Sequence, residues 1–241
     1  MSPAHTMDVP LRHKPVVGID GAAGAGKSTA AKTAARVLNY TFIDTGALFR
    51  AVALASLEAG IDVKNDALVS ELATRLVAEQ RLKLESDEHQ AMRVILHGEA
   101  PGERLRTREI SQLVPIVSMY AGVREAILVV LRAFGAEGGI VLEGRDICTV
   151  VFPDAEVKIY LTASAEVRTQ RRCDELASRG EPAEFSHILE DVRKRDELDM
   201  TRAIAPLRQA PDATVIDSDT LNPEQVVERI VAIAKSCEGE M

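Results

Sequence analysis

A parallel α/β fold, with a sheet of about five strands covered on both faces by helices, is predicted by three features of this chain. Short aliphatic runs alternate with longer segments of helical composition along most of its length. Each run is short and mainly aliphatic, as in a parallel sheet covered on both faces. Residues 16–29, VVGIDGAAGAGKST, set a buried strand, a glycine-rich turn and a helix start in the order that binds phosphate.

The first strand is placed at 15–20 on Val16, Val17 and Ile19. A helix at 27–38 follows, because TAAKTAARVL is Ala-rich and free of Gly and Pro. A strand at 40–44 and a helix at 46–59 repeat the unit. The rhythm then breaks: a helix at 65–79 precedes 81–97, where alternation about a polar centre predicts an antiparallel hairpin. Residues 62–107 are therefore expected to be an inserted module. A helix at 122–134, strands at 139–143 and 156–161, and a helix at 165–178 resume the pattern. Gly180-Glu181-Pro182 interrupts two charged helices and reads as a hinged tip, so the next helix is placed at 183–200. A strand at 213–217 and a helix at 223–236 complete it. The expected division is a flexible tail at 1–14, a core of 15–61 and 108–241 with a lid near 168–185, and the insertion at 62–107.

Composition narrows the function. The net charge of −8 argues against a protein that coats nucleic acid, which needs a basic face. No apolar run approaches the roughly 20 residues of a membrane span, and MSPAHTMDVPLRHK lacks the apolar centre of a secretory signal. Cys148, Cys173 and Cys237 form no C-x-x-C pair, and reduced thiols in a cytoplasm are the simplest account. The five histidines show no metal-ligand spacing. No large apolar stripe demands a dimer, so a monomer is expected. Of 29 basic residues 21 are Arg, nine of them between Arg145 and Arg208, which favours a second anionic ligand beside the phosphate loop.

The loop Gly21-Ala22-Ala23-Gly24-Ala25-Gly26-Lys27-Ser28-Thr29 fits G-x-x-x-x-G-K-[S/T]. Its glycines let backbone N–H groups close around a nucleoside triphosphate. Lys27 would bridge the β- and γ-phosphates, and the Ser28 hydroxyl would ligate Mg²⁺. Two further segments lie beyond strand ends, where ligands bind in such sheets: DTGALFR at 44–50 and EGRD at 143–146. No N-K-x-D guanine-recognition element is present, which weakens a GTPase reading.

DTGALFR, EGRDICTVVFPDAEVKIYLTAS at 143–164, RDELDMTRAIAPL at 195–207, the phosphate loop, the hairpin insertion and RTREIS…VREAIL at 106–128 together resemble bacterial cytidylate kinases over roughly 15–235. That resemblance implies a P-loop nucleoside monophosphate kinase that uses MgATP and CMP or dCMP. It implies that Thr45, Arg50 and Arg145 hold the CMP phosphate, that Arg124, Asp146 and Arg202 face the cytosine, and that Arg195 and Asp199 lie near ribose and phosphates. Arg168, Arg171 and Arg172 resemble lid arginines; Lys27, Arg145, Arg171 and Arg195 are the expected catalytic cations. The chain departs from the family's usual residues at Phe49 (Tyr), Glu143 (Asp), Cys148 (Gly) and Pro115 (Ser).

Base chemistry supports the cytosine assignment independently. A carboxylate such as Asp146 accepts from the N4 amine while arginines donate to N3 or O2, and uracil frustrates both contacts. Asp146 also fits a salt bridge to Arg145 or a helix cap, and Arg50 fits a surface charge on an apolar helix. Two rival functions remain open at this point: a P-loop kinase of another acceptor (UMP, dCMP alone or a modified pyrimidine) and a non-enzymatic nucleotide switch.

Overall fold

The computed structural model describes residues 12–86 and 92–241. β1 (Val16–Asp20), β2 (Thr41–Asp44), β5 (Ile140–Gly144), β6 (Val157–Thr162) and β7 (Thr214–Asp217) form one parallel sheet in the order β2-β5-β1-β6-β7. β3 (Leu82–Ser86) and β4 (Met92–Leu96) form a separate antiparallel hairpin, whose expected tip at 87–91 lies outside the described residues. β1 is central: it pairs with β5 from Val16↔Ile140 to Asp20↔Gly144, and with β6 from Val17↔Val157 to Asp20↔Tyr160. The strand order reverses at β1, so the carboxyl ends of β1 and β5 open side by side at the crevice where such sheets bind ligands.

Strand alternation sends side chains into two cores. Val17, Ile19, Val141 and Ile159 face α1 (Lys27–Leu38) and α8 (Pro223–Glu240). Ala30, Ala31, Ala34 and Ala35 are buried there, and their small side chains let α1 lie close on the sheet. Val16, Ile43 and Leu142 face the other way, toward α2 (Thr45–Glu58) and α5 (Ala121–Gly135). Val69, Leu72 and Leu76 of α3 (Asp66–Ala78) join that same cluster with Leu82, Leu84, Val94 and Leu96 of the hairpin. Residues of the expected insertion thus share their core with the sheet layer.

The remaining helices are α4 (Arg108–Val117), α6 (Ala165–Ser178) and α7 (Phe185–Thr201). α4 was not expected, because Pro115 sits inside it. The proline falls in the last turn, where it costs a single i→i−4 bond, and Thr107 starts the helix by accepting the Ile110 N–H at 3.3 Å. α4 and α5 then meet at 101°. Among the described residues no single helix is long and apolar enough to cross a membrane. A π-helical turn at Ile147–Val151 was also missed; it follows directly on the EGRD segment.

Residues 1–11 of the expected tail lie outside the described residues, but Arg12 is buried. Its guanidinium donates to the Gly135 carbonyl at 2.9 Å, to Asp154 Oδ2 at 2.6 Å and to Glu156 Oε1 at 2.9 Å. Glu156 Oε2 in turn accepts the Val16 N–H at 2.8 Å, so Arg12 helps fix the entry to the central strand. Replacing Arg12 with Met is expected to lower unfolding free energy by about 2–3 kcal/mol, since both carboxylates and the carbonyl lose their donor. Urea denaturation measures this; an unchanged midpoint would exclude the anchoring role.

Candidate active site

The phosphate loop joins β1 to α1. A Cβ on Gly21 would stand 2.0 Å from the Leu161 carbonyl oxygen, so only glycine lets the chain leave β1 against β6. Gly26 has φ +91° and occupies the N-cap position of α1 without a capping side chain. The first N–H groups of α1 therefore keep their positive end turned to an incoming anion. Lys27 is buried and donates to the Ala22 carbonyl at 2.7 Å across the loop. Burial, and next the charge of Arg145, pull its ammonium pKa down to about 7. Ser28 and Thr29 are exposed in the first turn of α1.

Three walls of positive charge meet opposite the loop. Arg50, on α2, reaches back to Asp44 Oδ2 at 3.3 Å, and Asp44 caps α2 by accepting the Ala47 N–H at 3.1 Å. Arg145 donates to Asp199 Oδ2 at 2.8 Å and to the Gly144 carbonyl at 3.2 Å. Arg195, on α7, has its basicity lowered by burial and then by Arg145, with Arg50 contributing as well. Its Nε is buried with no hydrogen-bond acceptor.

Beyond the phosphate end, Asp146 binds two guanidiniums. Arg124 Nη2 donates to its Oδ2, and Arg202 Nη2 stands 3.6 Å from its Oδ1. That Arg202 Nη2 is also buried without a hydrogen-bond acceptor, while its Nε donates to the Ala205 carbonyl at 2.7 Å. Burial, and next the neighbouring Arg124, lower the Arg202 pKa. Arg124 also lies over the Phe49 ring, 5.3 Å from its centroid. A pocket of about 190 Å³ opens at this pair, with Phe49, Ile127 and Leu131 on its apolar side.

Not every expected residue faces the crevice in the same way. Thr45 is buried and donates its hydroxyl proton to the Glu143 carbonyl at 2.6 Å, so in this state its donor is occupied by the backbone. Arg168 is buried too: it donates to Asp196 Oδ1 and Oδ2 at 2.9 and 2.5 Å and to the Ala23 carbonyl at 3.1 Å. It ties the phosphate loop to α7. Arg171 donates to Ser218 Oγ at 3.1 Å and the Ser218 carbonyl at 2.8 Å, and Ser218 Oγ donates to the Ala25 carbonyl at 3.2 Å. Arg172 is exposed and paired with Glu175 at 2.6 Å.

Sequence reasoning missed Asp20, Asp196 and Ser218. The first carried a signal, a carboxylate closing an otherwise apolar strand; the other two acquire partners only through the fold.

No group of three or more His, Cys, Asp or Glu residues suited to a metal occurs among the described residues. A hard cation fits here in another way. Mg²⁺ keeps most of its waters and takes one or two protein oxygens with substrate phosphates, and the exposed Ser28 hydroxyl beside the helix terminus is such a donor.

A family model described as cytidylate kinase matches residues 17–236. Curated proteins named cytidylate kinase are similar along nearly their whole length. The one from Pelotomaculum thermopropionicum is 44% identical, over 90% of this chain and 95% of the relative. That from Citrifermentans bemidjiense is 48% identical, over 91% and 92%. That from Bacillus licheniformis is 40% identical, over 92% and 97%.

The Lys27 environment has a measurable consequence. With a free pKa near 7, the side chain is mostly neutral at about pH 8 and mostly charged at about pH 6. Triphosphate oxygens favour the ammonium and raise that pKa. MgATP binding is therefore expected to take up close to one proton at about pH 8 and almost none at about pH 6. Calorimetric titration in buffers of different ionisation enthalpy reads this uptake, and Lys27→Met should abolish it. Equal uptake at both pH values would refute the assignment.

Proposed function

The chain belongs to the cytidylate kinase family, and from that premise we propose how its cleft passes the γ-phosphoryl group of ATP to CMP or dCMP. The observation that carries the assignment of residues is a pair of buried donors without acceptors, Arg195 Nε and Arg202 Nη2. A buried N–H left unpaired is costly, so such donors mark positions that a ligand completes. They lie seven residues apart along α7 and its C-cap, about 10 Å at 1.5 Å per residue. That is the reach from the phosphate to the base of one nucleotide.

At the phosphate end, Arg50, Arg145 and Arg195 receive the acceptor phosphate. At the base end, Asp146 accepts from the N4 amine, while Arg202 and Arg124 donate to N3 and O2. Asp199 bridges the two regions through Arg145 and Arg202. On the donor side, the N-terminus of α1 and Lys27 hold the ATP phosphates, and Arg171 stands beside the loop. Magnesium ion bound to Ser28 and the phosphate oxygens would neutralise charge on the transferring group.

The acceptor phosphate oxygen attacks γ-phosphorus and the β–γ bridging bond breaks, giving ADP and the nucleoside diphosphate. No protein base is required, because the nucleophile is already an anion. Catalysis consists of alignment plus positive charge where the loose transition state spreads its negative charge. The segment near 168–185 serves as the lid that excludes water, which would otherwise compete for the γ-phosphoryl.

Coupled ADP release with MgATP against CMP, dCMP, UMP and AMP tests this reading. CMP and dCMP are expected to exceed UMP by roughly tenfold to a hundredfold in kcat/KM, the worth of a good base contact. Equal kcat/KM for UMP and CMP would overturn the base assignment. Arg50→Met should raise KM for CMP at least about tenfold and leave KM for ATP within about twofold, because the charge-assisted phosphate bonds it removes serve the acceptor subsite alone. An unaltered KM for CMP would refute the role of Arg50.

A further inference from the structure

Asp20 takes no part in the assignments above, yet it is 1% exposed at the end of β1, one residue before the phosphate loop. Its two carboxylate oxygens are used separately. The Ile147 N–H donates to Oδ1 at 2.8 Å, and the Cys148 N–H donates to Oδ2 at 2.8 Å. These are the first two amides of the π-helical turn Ile147–Val151, groups that a helical turn cannot satisfy for itself.

The residue in the N-cap position of that turn is Asp146, and its side chain makes no capping bond. Aspartate is among the residues that cap most readily, and its local habit is to accept from amides just ahead of it. Here that role has passed to a carboxylate arriving from the neighbouring strand. Gly18 makes room for the arrangement: a Cβ there would lie 2.8 Å from Cys148 Sγ and 3.0 Å from Ile147 Cγ2. With the Ile147 and Cys148 amides already satisfied by Asp20, the turn leaves the Asp146 carboxylate to Arg124 and Arg202.

We infer that Asp20 is a positioning residue for base selection: by capping the 147–151 turn from β1, it releases Asp146 from capping that turn and holds it toward the cytosine. Two amides at one carboxylate require two acceptors. Asparagine supplies one acceptor and turns an NH₂ group against the second amide. The freed amide then competes for Asp146. The inference rests on the assignment of Asp146 to the base, and the test separates the two.

CMP and UMP kinetics are compared for the unaltered chain, Asp20→Asn, Asp146→Asn and the double variant. Asp20→Asn is expected to cut the CMP:UMP ratio of kcat/KM by roughly tenfold, within the range of one base contact, with KM for ATP changed less than about twofold. Asp146→Asn should lower the ratio as well, and adding Asp20→Asn to it should lower it no further, since both act through one carboxylate. If Asp146→Asn leaves the ratio intact, the base assignment fails. If Asp146→Asn lowers it but Asp20→Asn does not, or if Asp20→Asn weakens ATP and CMP alike, the positioning role fails. Should Asp20→Asn not fold, Asp20→Glu keeps both acceptors and shifts them by one methylene; it is expected to lower the ratio, and an unchanged ratio would overturn the inference.

Discussion

The parallel register of β1 against β5 is the constraint on which the site depends. Pairing Asp20 with Gly144 brings Gly21, the first residue of the phosphate loop, level with Arg145 and Asp146. Val16 packs into one core and Val17 and Ile19 into the other, and the close fit of these side chains on both faces of the sheet helps to hold the alignment. The spacing between the phosphate loop and the Arg145–Asp146 segment is thereby set by backbone hydrogen bonds rather than by loops. Chemistry that relies on alignment more than on reactive groups needs such a frame.

Electrostatics is the second organising term. Lys27, Arg50, Arg145 and Arg195 lie close enough for each other's charge to matter, with Lys27 and Arg195 pushed toward neutrality chiefly by burial. Arg50, Arg145, Arg124 and Arg168 each meet a carboxylate: Asp44, Asp199, Asp146 and Asp196. Net charge of −8 and a cationic crevice are thus compatible, because acidic residues hold the arginines in place without filling their whole donor sets. A planar guanidinium with five N–H groups can keep one carboxylate and still receive a phosphate or a base.

Much of this was legible in the chain. The pattern placed the five strands of the sheet within a residue or two, because each is a short run rich in aliphatic residues between helical segments. VVGIDGAAGAGKST pointed to both a structure and a chemistry, since the residues that make the turn are the ones proposed to bind the triphosphate. DTGALFR and EGRD follow strand ends and so had to lie at the crevice. What stayed hidden has a common cause. α4 was obscured by Pro115, whose cost depends on its place in the last turn. Asp20, Asp196 and Ser218 act through partners at least 28 residues away, as in Arg168 with Asp196 and Cys148 with Asp20. Arg168 reads as one of three similar lid arginines, and only its burial against the loop separates it from exposed Arg172.

That separation divides α6 mechanically. Near its start, Arg168 is clamped between the Ala23 carbonyl and Asp196, and one turn later Arg171 is fastened to Ser218. From Arg172 onward the ion pairs of the described side chains, Arg172 and Arg179 with Glu175, are local and solvent-exposed. In the lid proposed above, the anchored turn would be the fulcrum and the remainder of α6 a short lever ending at Gly180. A lever pivoting there would sweep its tip while the phosphate loop beneath the fulcrum stayed still. Opening the crevice for exchange of nucleotides would then leave the loop's own geometry undisturbed from one turnover to the next.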